Sequence, residues 1–373
     1  MAEKTVLITG GAGFVGSHLA EALIARGHRV RIYDNLSDQV HRSGFPDYLT
    51  VEAEFIRGDV RDLAKLQDAV RDADVIFHLA AAVGVGQSMY QIADYTAVNT
   101  TGTANLLQAI LDTRATPEKI IVASSMSIYG EGHYLCSSCD RVAPPQRSPE
   151  RLQQKKWELD CPRCDQELVP VPTDEFKPLQ CSSIYALGKK TQEEMVLLFG
   201  RTYKIPAVAL RYFNIYGPHQ ALSNPYTGVM AIFASRVING NAPVIFEDGL
   251  QRRDFVNVAD IVQANLLAME SAGADGMAVN IGSGRPVTIR EVAEQLTIAL
   301  GKSVPFEISG KSRAGDIRHC FADISTASRL LGYQPRVTLG AGLAELVARL
   351  KGQQASDHVD EAMDRLSAHG LVA

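Results

Sequence analysis

Ser125, Tyr185 and Lys189 are the residues of this 373-residue chain whose types and spacing suit proton transfer at a hydroxyl group. Ser125 follows the apolar run Ile120-Ile-Val-Ala-Ser124, and Tyr185 opens Tyr185-Ala-Leu-Gly-Lys189. On a helix, residues four apart share a face, so the Lys189 ammonium can sit beside the Tyr185 phenol and favour its ionised form. A phenol with a pKa near 10 must fall by about three units, roughly 4 kcal/mol, to act as a base at neutral pH. Between these residues lie Cys136-x-x-Cys139 and Cys161-x-x-Cys164. Two such knuckles present four thiolates for tetrahedral zinc and leave no coordination position open for chemistry. A structural zinc ribbon is therefore expected, with a redox pair as the alternative.

These side chains need a scaffold, and the first 125 residues alternate short apolar strands with amphipathic helical stretches. That alternation predicts an α/β fold, a doubly wound parallel Rossmann sheet. Thr5-Val-Leu-Ile-Thr9 reads as its first strand, followed by Gly10-Gly-Ala-Gly13-Phe14-Val15-Gly16 opening a helix. Glycines there permit a tight turn and close approach of the backbone to a pyrophosphate held at the helix amino terminus. The second strand ends in Asp34-Asn35, where a carboxylate suits ribose hydroxyls and repels a 2′-phosphate, favouring NAD over NADP. Asp59-Val60 after the third strand and Leu79-Ala80-Ala81 after the fourth complete the strand ends facing such a dinucleotide. Asn99 opens a long helix and serves either the sheet or the cofactor. Ser124 and Ser125 close the fifth strand at the carboxyl edge, where open α/β sheets place their sites.

Composition narrows the function. A chain 46% hydrophobic and 21% charged suits a soluble globular protein with a sizeable core. Net charge of −5, from 37 Lys plus Arg against 42 Asp plus Glu, argues against a nucleic-acid or anionic-membrane surface. The sequence shows no membrane span and no signal-peptide pattern, so a cytoplasmic protein is expected. Cys181 and Cys320 read as ordinary small apolar residues.

The glycine turn, Asp34, the Ser125 strand end and the Tyr185-Lys189 tetrad together resemble the extended short-chain dehydrogenase/reductase family, specifically its NAD-dependent sugar-nucleotide epimerases and dehydratases. The resemblance continues through Arg211-Tyr212-Phe-Asn214, Arg253-Asp-Phe-Val-Asn-Val-Ala-Asp260 and Asn280-Ile-Gly-Ser-Gly284. It implies that Tyr185, Lys189 and Tyr212 flank the cofactor, and that Ser125 and Ser127 meet the sugar. Asn214 and Arg253 would hold the substrate diphosphate, and Arg313 and Arg318 would contact the nucleotide. Residues 1–213 would form the NAD-binding domain, interrupted by the insertion at 132–172, with 250–270 returning to it. Residues 214–350, including strand Ala278-Val-Asn280, would bind the sugar nucleotide, and 351–373 would be a tail or an appended helix. A homodimer through the helices after Asn99 and around Tyr185 is also implied.

Dehydratase relatives carry Asp-Glu directly after the active-site hydroxyl residue, where this chain has Met126 and Ser127. Decarboxylating relatives carry glutamate where Ser127 stands. Transient oxidation at C4, with hydride returned to the opposite face of the ketone, is therefore the expected reaction. The cysteine insertion, with Gln220-Ala-Leu-Ser-Asn224-Pro-Tyr226 downstream, is similar to bacterial epimerases assigned to dTDP-L-rhamnose. Asn224 and Tyr226 are then candidate sugar contacts, and the insertion is expected over the pocket mouth. Epimerisation of UDP-hexoses or UDP-hexuronates, reduction or dehydration of a nucleotide sugar, and a catalytically silent NAD-binding relative are the alternatives.

Overall fold

The computed structural model describes residues 2–42, 44–302, 304–350 and 356–373. Its centre is a seven-stranded parallel sheet made of β1 (Thr5–Thr9), β2 (Arg29–Asp34), β3 (Glu54–Arg57), β4 (Val75–His78), β5 (Lys119–Ser125), β6 (Ala207–Tyr212) and β7 (Ala278–Ile281). The strand order is β7-β6-β5-β4-β1-β2-β3. Strands β1, β4, β5 and β6 are buried along their whole length, which is why they read as continuous apolar runs rather than as alternation. The order reverses between β1 and β4, opening a crevice beyond their carboxyl ends.

Helices cover both faces. On one side α1 (Phe14–Ile24) and α4 (Val258–Glu270) pack over a core containing Val6, Leu19, Leu23, Ile261 and Leu266. On the other, α2 (Gly102–Thr113) and α3 (Ile184–Tyr203) enclose Leu7, Leu106, Ile110, Val196 and Phe199. Residues 258–270 pack with α1 in the nucleotide-binding half, whereas Arg252–Asn257, also expected there, pairs with Asn214–Tyr216 in a separate sheet. Residues 278–281 do not belong to the smaller domain as expected, because β7 is the edge strand of the main sheet, with Val279 level with Leu210. Its late place in the chain concealed this, since parallel neighbours may be far apart in sequence. The smaller domain has its own core around Tyr216, Phe233, Phe255, Leu296 and Leu343. Among the described residues no helix is long and apolar enough to cross a membrane.

The insertion is a three-stranded antiparallel sheet of His133–Cys136, Asp140–Val142 and Val169–Val171. Tyr134, Val142, Leu159 and Leu168 make a small core with Cys136 and Cys161, while Trp157 lies outside that cluster. No residue of this module lines the main cavity, so the expected position over the pocket mouth is corrected. The module is held instead against the smaller domain by a buried charge network. Arg318 donates to Glu158 of the insertion and to Glu247 and Asp248 of the smaller domain. Arg147, also from the insertion, pairs with Glu247 at 2.8 Å and with Glu131 at 3.4 Å.

Two outcomes follow from this network. Glu247 lies between two buried guanidinium groups, so Glu247→Ala should cost about 3–5 kcal/mol in chemical denaturation, the penalty for stranding buried charge. Burial would raise the Glu158 carboxyl, but hydrogen bonds from His319 and Arg318 outweigh it and hold the pKa at about 2. A depressed carboxyl stabilises fully above its ordinary value of 4.5, and that contribution disappears as the pH falls toward 2. Denaturation midpoints for wild type and Glu158→Gln should therefore converge as the pH drops through this window.

Candidate active site

A cavity of about 710 Å³ runs across the carboxyl ends of β1, β2, β4 and β5 into the smaller domain. Gly10, Gly13, Phe14, Val15 and Gly16 form its floor at the start of α1. Gly10 has φ of +71°, and a Cβ on Gly16 would lie 2.5 Å from the Gly10 carbonyl oxygen, so this turn closes only with glycine. Asp34, Asn35, Asp59 and Val60 line one end. Asp34 accepts from the amides of Ala12 and Leu36, which fixes its carboxylate at the strand tip, and burial raises its pKa despite those bonds. The Asn35 amide donates to Asp59 at 2.9 Å. Leu79, Ala80 and Ala81 follow β4, leaving room along the strand ends.

Ser124, Ser125, Ser127, Tyr185, Lys189 and Tyr212 meet at the middle of the cavity. Ser125 Oγ accepts from the Ser127 hydroxyl at 2.9 Å and from the Ser127 amide at 3.2 Å. Its own hydrogen is thus left for the neighbouring Tyr185 oxygen. Burial raises the Tyr185 phenol above its ordinary value, against the opposing influence of the Ser125 hydroxyl. Lys189 Nζ donates to the Ala123 carbonyl at 2.9 Å, and burial lowers its pKa to about 7. Burial works against the charged form of both groups, and Lys189 is turned toward the Ala123 carbonyl in the protein alone.

Asn214, Asn224 and Tyr226 line the far end. The side-chain oxygens of Asn214 and of Gln220, also on the wall, are buried without a protein partner, as expected of groups that await a polar ligand. Four predicted contacts lie elsewhere. Asn99 sits in a π-helical turn, Thr96–Thr101, and its amide clamps both backbone groups of Ala82. Arg253 donates to the carbonyls of Arg252, Ile317 and Arg318. Arg313 pairs with Asp316 at 2.9 Å and lies over the Phe246 ring. Arg318 commits its donors to Glu158, Glu247 and Asp248, and none remains for a diphosphate.

The family model described as NAD dependent epimerase/dehydratase matches residues 6–149 and 164–282, breaking off inside the cysteine insertion. The chain is 33% identical over 346 residues to the dTDP-L-rhamnose 4-epimerase of Burkholderia thailandensis, covering 92% of this chain and 94% of that one. The chain belongs to this epimerase/dehydratase family. A putative UDP-glucose 4-epimerase of Methanocaldococcus jannaschii is 31% identical, over 93% of this chain and 98% of that one. Among solved structures, the Thermotoga maritima UDP-glucose 4-epimerase with UDP-glucose matches with a TM-score of 0.76 at 31% identity, covering 93% and 98% of the two chains. The Bacillus cereus UDP-glucuronic acid 4-epimerase with UDP-glucuronic acid and NAD matches at 0.77 with 27% identity, covering 93% and 99%. The glycine cradle, Asp34 and the length of the cavity fit the NAD on which this epimerase family depends.

One part of the epimerase site was not legible beforehand. Tyr185, Lys189 and Glu193 occupy one face of α3 toward the end of β5: Tyr185 lies beside Ser125, Lys189 donates to the Ala123 carbonyl, and Glu193 accepts from the Ser124 hydroxyl at 2.6 Å. Glu193 also accepts from Nε and Nη2 along one edge of the Arg211 guanidinium, and Arg211 Nη1 donates to Tyr129 OH at 2.8 Å. The i, i+4, i+8 spacing was the available signal, but glutamate at such a position usually faces solvent. Tyr185→Phe should lower kcat by about 10²–10⁴-fold, the worth of a positioned acid–base group, while the purified protein keeps its NAD. A quench-flow or coupled turnover assay, with cofactor released by denaturation and measured by absorbance, would check both.

Proposed function

We propose that the protein is a nucleotide-sugar 4-epimerase acting on a dTDP-6-deoxyhexose such as dTDP-L-rhamnose. The observation that carries this reading is the meeting of Ser125 and Tyr185 on one cavity wall, with Met126 and Ser127 where dehydration or decarboxylation would need acidic side chains. NAD, held by the glycine turn and Asp34, supplies the hydride acceptor and donor and a positive ring charge. Tyr185 takes the proton of the sugar 4-hydroxyl, relayed through Ser125, and later returns it to the 4-keto oxygen. Ser127 donates to the Ser125 oxygen, so the Ser125 hydrogen is left to face the Tyr185 oxygen, the direction in which the relay passes the proton. Small residues along Leu79 to Ala81 leave the ketone space to present its opposite face.

The dTDP reading is supported by the 33% identity to the Burkholderia enzyme. A UDP-sugar reading is supported by the Thermotoga and Bacillus cereus structures, which fit with similar TM-scores. Structural zinc is part of the proposal, because the four cysteine sulfurs lie within 4.8 Å of one another, all free, as tetrahedral thiolate coordination requires. A homodimer is proposed through α2 and α3, where Leu111, Leu187, Leu198 and Tyr203 are exposed on otherwise packed helices.

Incubation with dTDP-L-rhamnose, UDP-glucose and UDP-glucuronic acid, followed by stereochemical assignment of the products, tests the substrate. Inversion at C4 of dTDP-L-rhamnose with little turnover of the UDP-sugars is expected, and the reverse preference would move the assignment to UDP-sugars. Metal analysis of the purified protein should find about one zinc per chain. Chelation should lower the thermal midpoint before it touches the chemistry, since the sulfurs lie outside the cavity wall.

A further inference from the structure

The C-terminal segment reaches the sugar end of the cavity through three aromatic rings. Helix α5 (Val359–Ala368) buries Ala362 and Leu366, and Leu366 packs on Gly86, where an added Cβ would meet it at 3.0 Å. Its other anchors are in the smaller domain: Arg236 with Asp360 at 2.7 Å, and Asn241 with Asp357 at 2.7 Å. Beyond the helix, the Ala314 amide donates to Leu371, and Ser312 and Ala373 exchange backbone bonds at 2.8 and 3.0 Å. The segment thus bridges the two halves of the molecule that enclose the cavity.

His369 stacks on Tyr90, with centroids 4.8 Å apart and planes 5° from parallel. Tyr90 OH donates to Tyr226 OH at 2.6 Å, and the Arg365 guanidinium lies near the same Tyr90 oxygen. The direction along this chain is set by Tyr90, which gives its hydrogen to Tyr226, while the neighbouring Arg365 guanidinium offers only donors and so suits a Tyr90 oxygen left as an acceptor. Tyr226 then accepts from Tyr90 and has its own hydrogen free on the cavity wall.

We propose that the C-terminal helix, through Arg365, Tyr90 and His369, holds Tyr226 as a hydrogen-bond donor to an oxygen of the bound sugar. Tyr90 and His369 are positioning residues, while Tyr226 makes the contact. The donor role rests on the nucleotide-sugar reading of the cavity, whereas the bracing of residues 220–228 by the tail does not.

Two measurements test these parts separately. In turnover assays with the preferred nucleotide sugar, Tyr90→Phe and Tyr226→Phe should each raise KM about tenfold with kcat within about twofold, the cost of one polar contact. The double variant should be no worse than Tyr226→Phe alone. An unchanged KM in Tyr90→Phe, or effects that multiply in the double variant, would overturn the relay. In the unliganded protein, His369→Ala should raise hydrogen exchange of residues 220–228 about tenfold, and His369→Phe, which keeps the stack, should restore it. Equal exchange in wild type and His369→Ala would refute the brace. Failure of the wild type to turn over dTDP-L-rhamnose, UDP-glucose or UDP-glucuronic acid would instead remove the sugar reading and with it the donor role.

Discussion

The geometry of the reactive centre depends on one buried ion pair, Glu193 with Arg211. It joins helix α3 to strand β6, and through the second oxygen of Glu193 it also takes the hydroxyl of Ser124. Arg211 extends the same contact to Tyr129, whose hydroxyl donates to Asn280 on β7. Four elements are therefore registered by a single set of charged hydrogen bonds directly behind Ser125 and Tyr185. Such a pair contributes little net stability, because desolvation offsets most of the attraction. Its effect is on placement: sliding α3 by one residue would leave two charges buried without partners. That penalty holds the Tyr185 oxygen against Ser125 more firmly than apolar packing alone could.

The parts of the site that follow from backbone geometry were legible in the sequence. Gly10 and Gly16 have no tolerated alternative at their positions, and Asp34 lies at a strand end whose period is unambiguous. Ser125 and Tyr185 could be read because one ends a strand and the other lies in the first turn of a helix. The arginines were not, since a motif locates a guanidinium in the chain but not the carboxylate nearest to it in space. Glu158, Glu247 and Asp248 come from segments distant in sequence, and together they claim Arg318. β7 escaped for a related reason, its strand partner β6 being separated from it by most of a domain.

The activation of Tyr185 also could not be read from spacing. Four residues on a helix bring an ammonium near a phenol, but a buried ammonium is itself poorly charged, and here it is turned toward the Ala123 carbonyl. Burial of both groups produces a resting state in which the base is protonated. The chemistry is thereby linked to occupancy of the cofactor site, which changes the charge beside both groups.

The cysteine module enters and leaves the domain through one narrow neck: His133 is paired with Val171, and the His133 amide bonds to the Thr173 hydroxyl at 3.0 Å. From the standpoint of the sheet, the insertion has almost no length. A loop whose two ends meet can exchange a short turn for a folded module without moving either anchor, and the entropic cost of closing it grows only slowly with the residues added. The neck therefore makes this edge of the enzyme a socket, where appended structure can change while the spacing of the reacting hydroxyls stays the same.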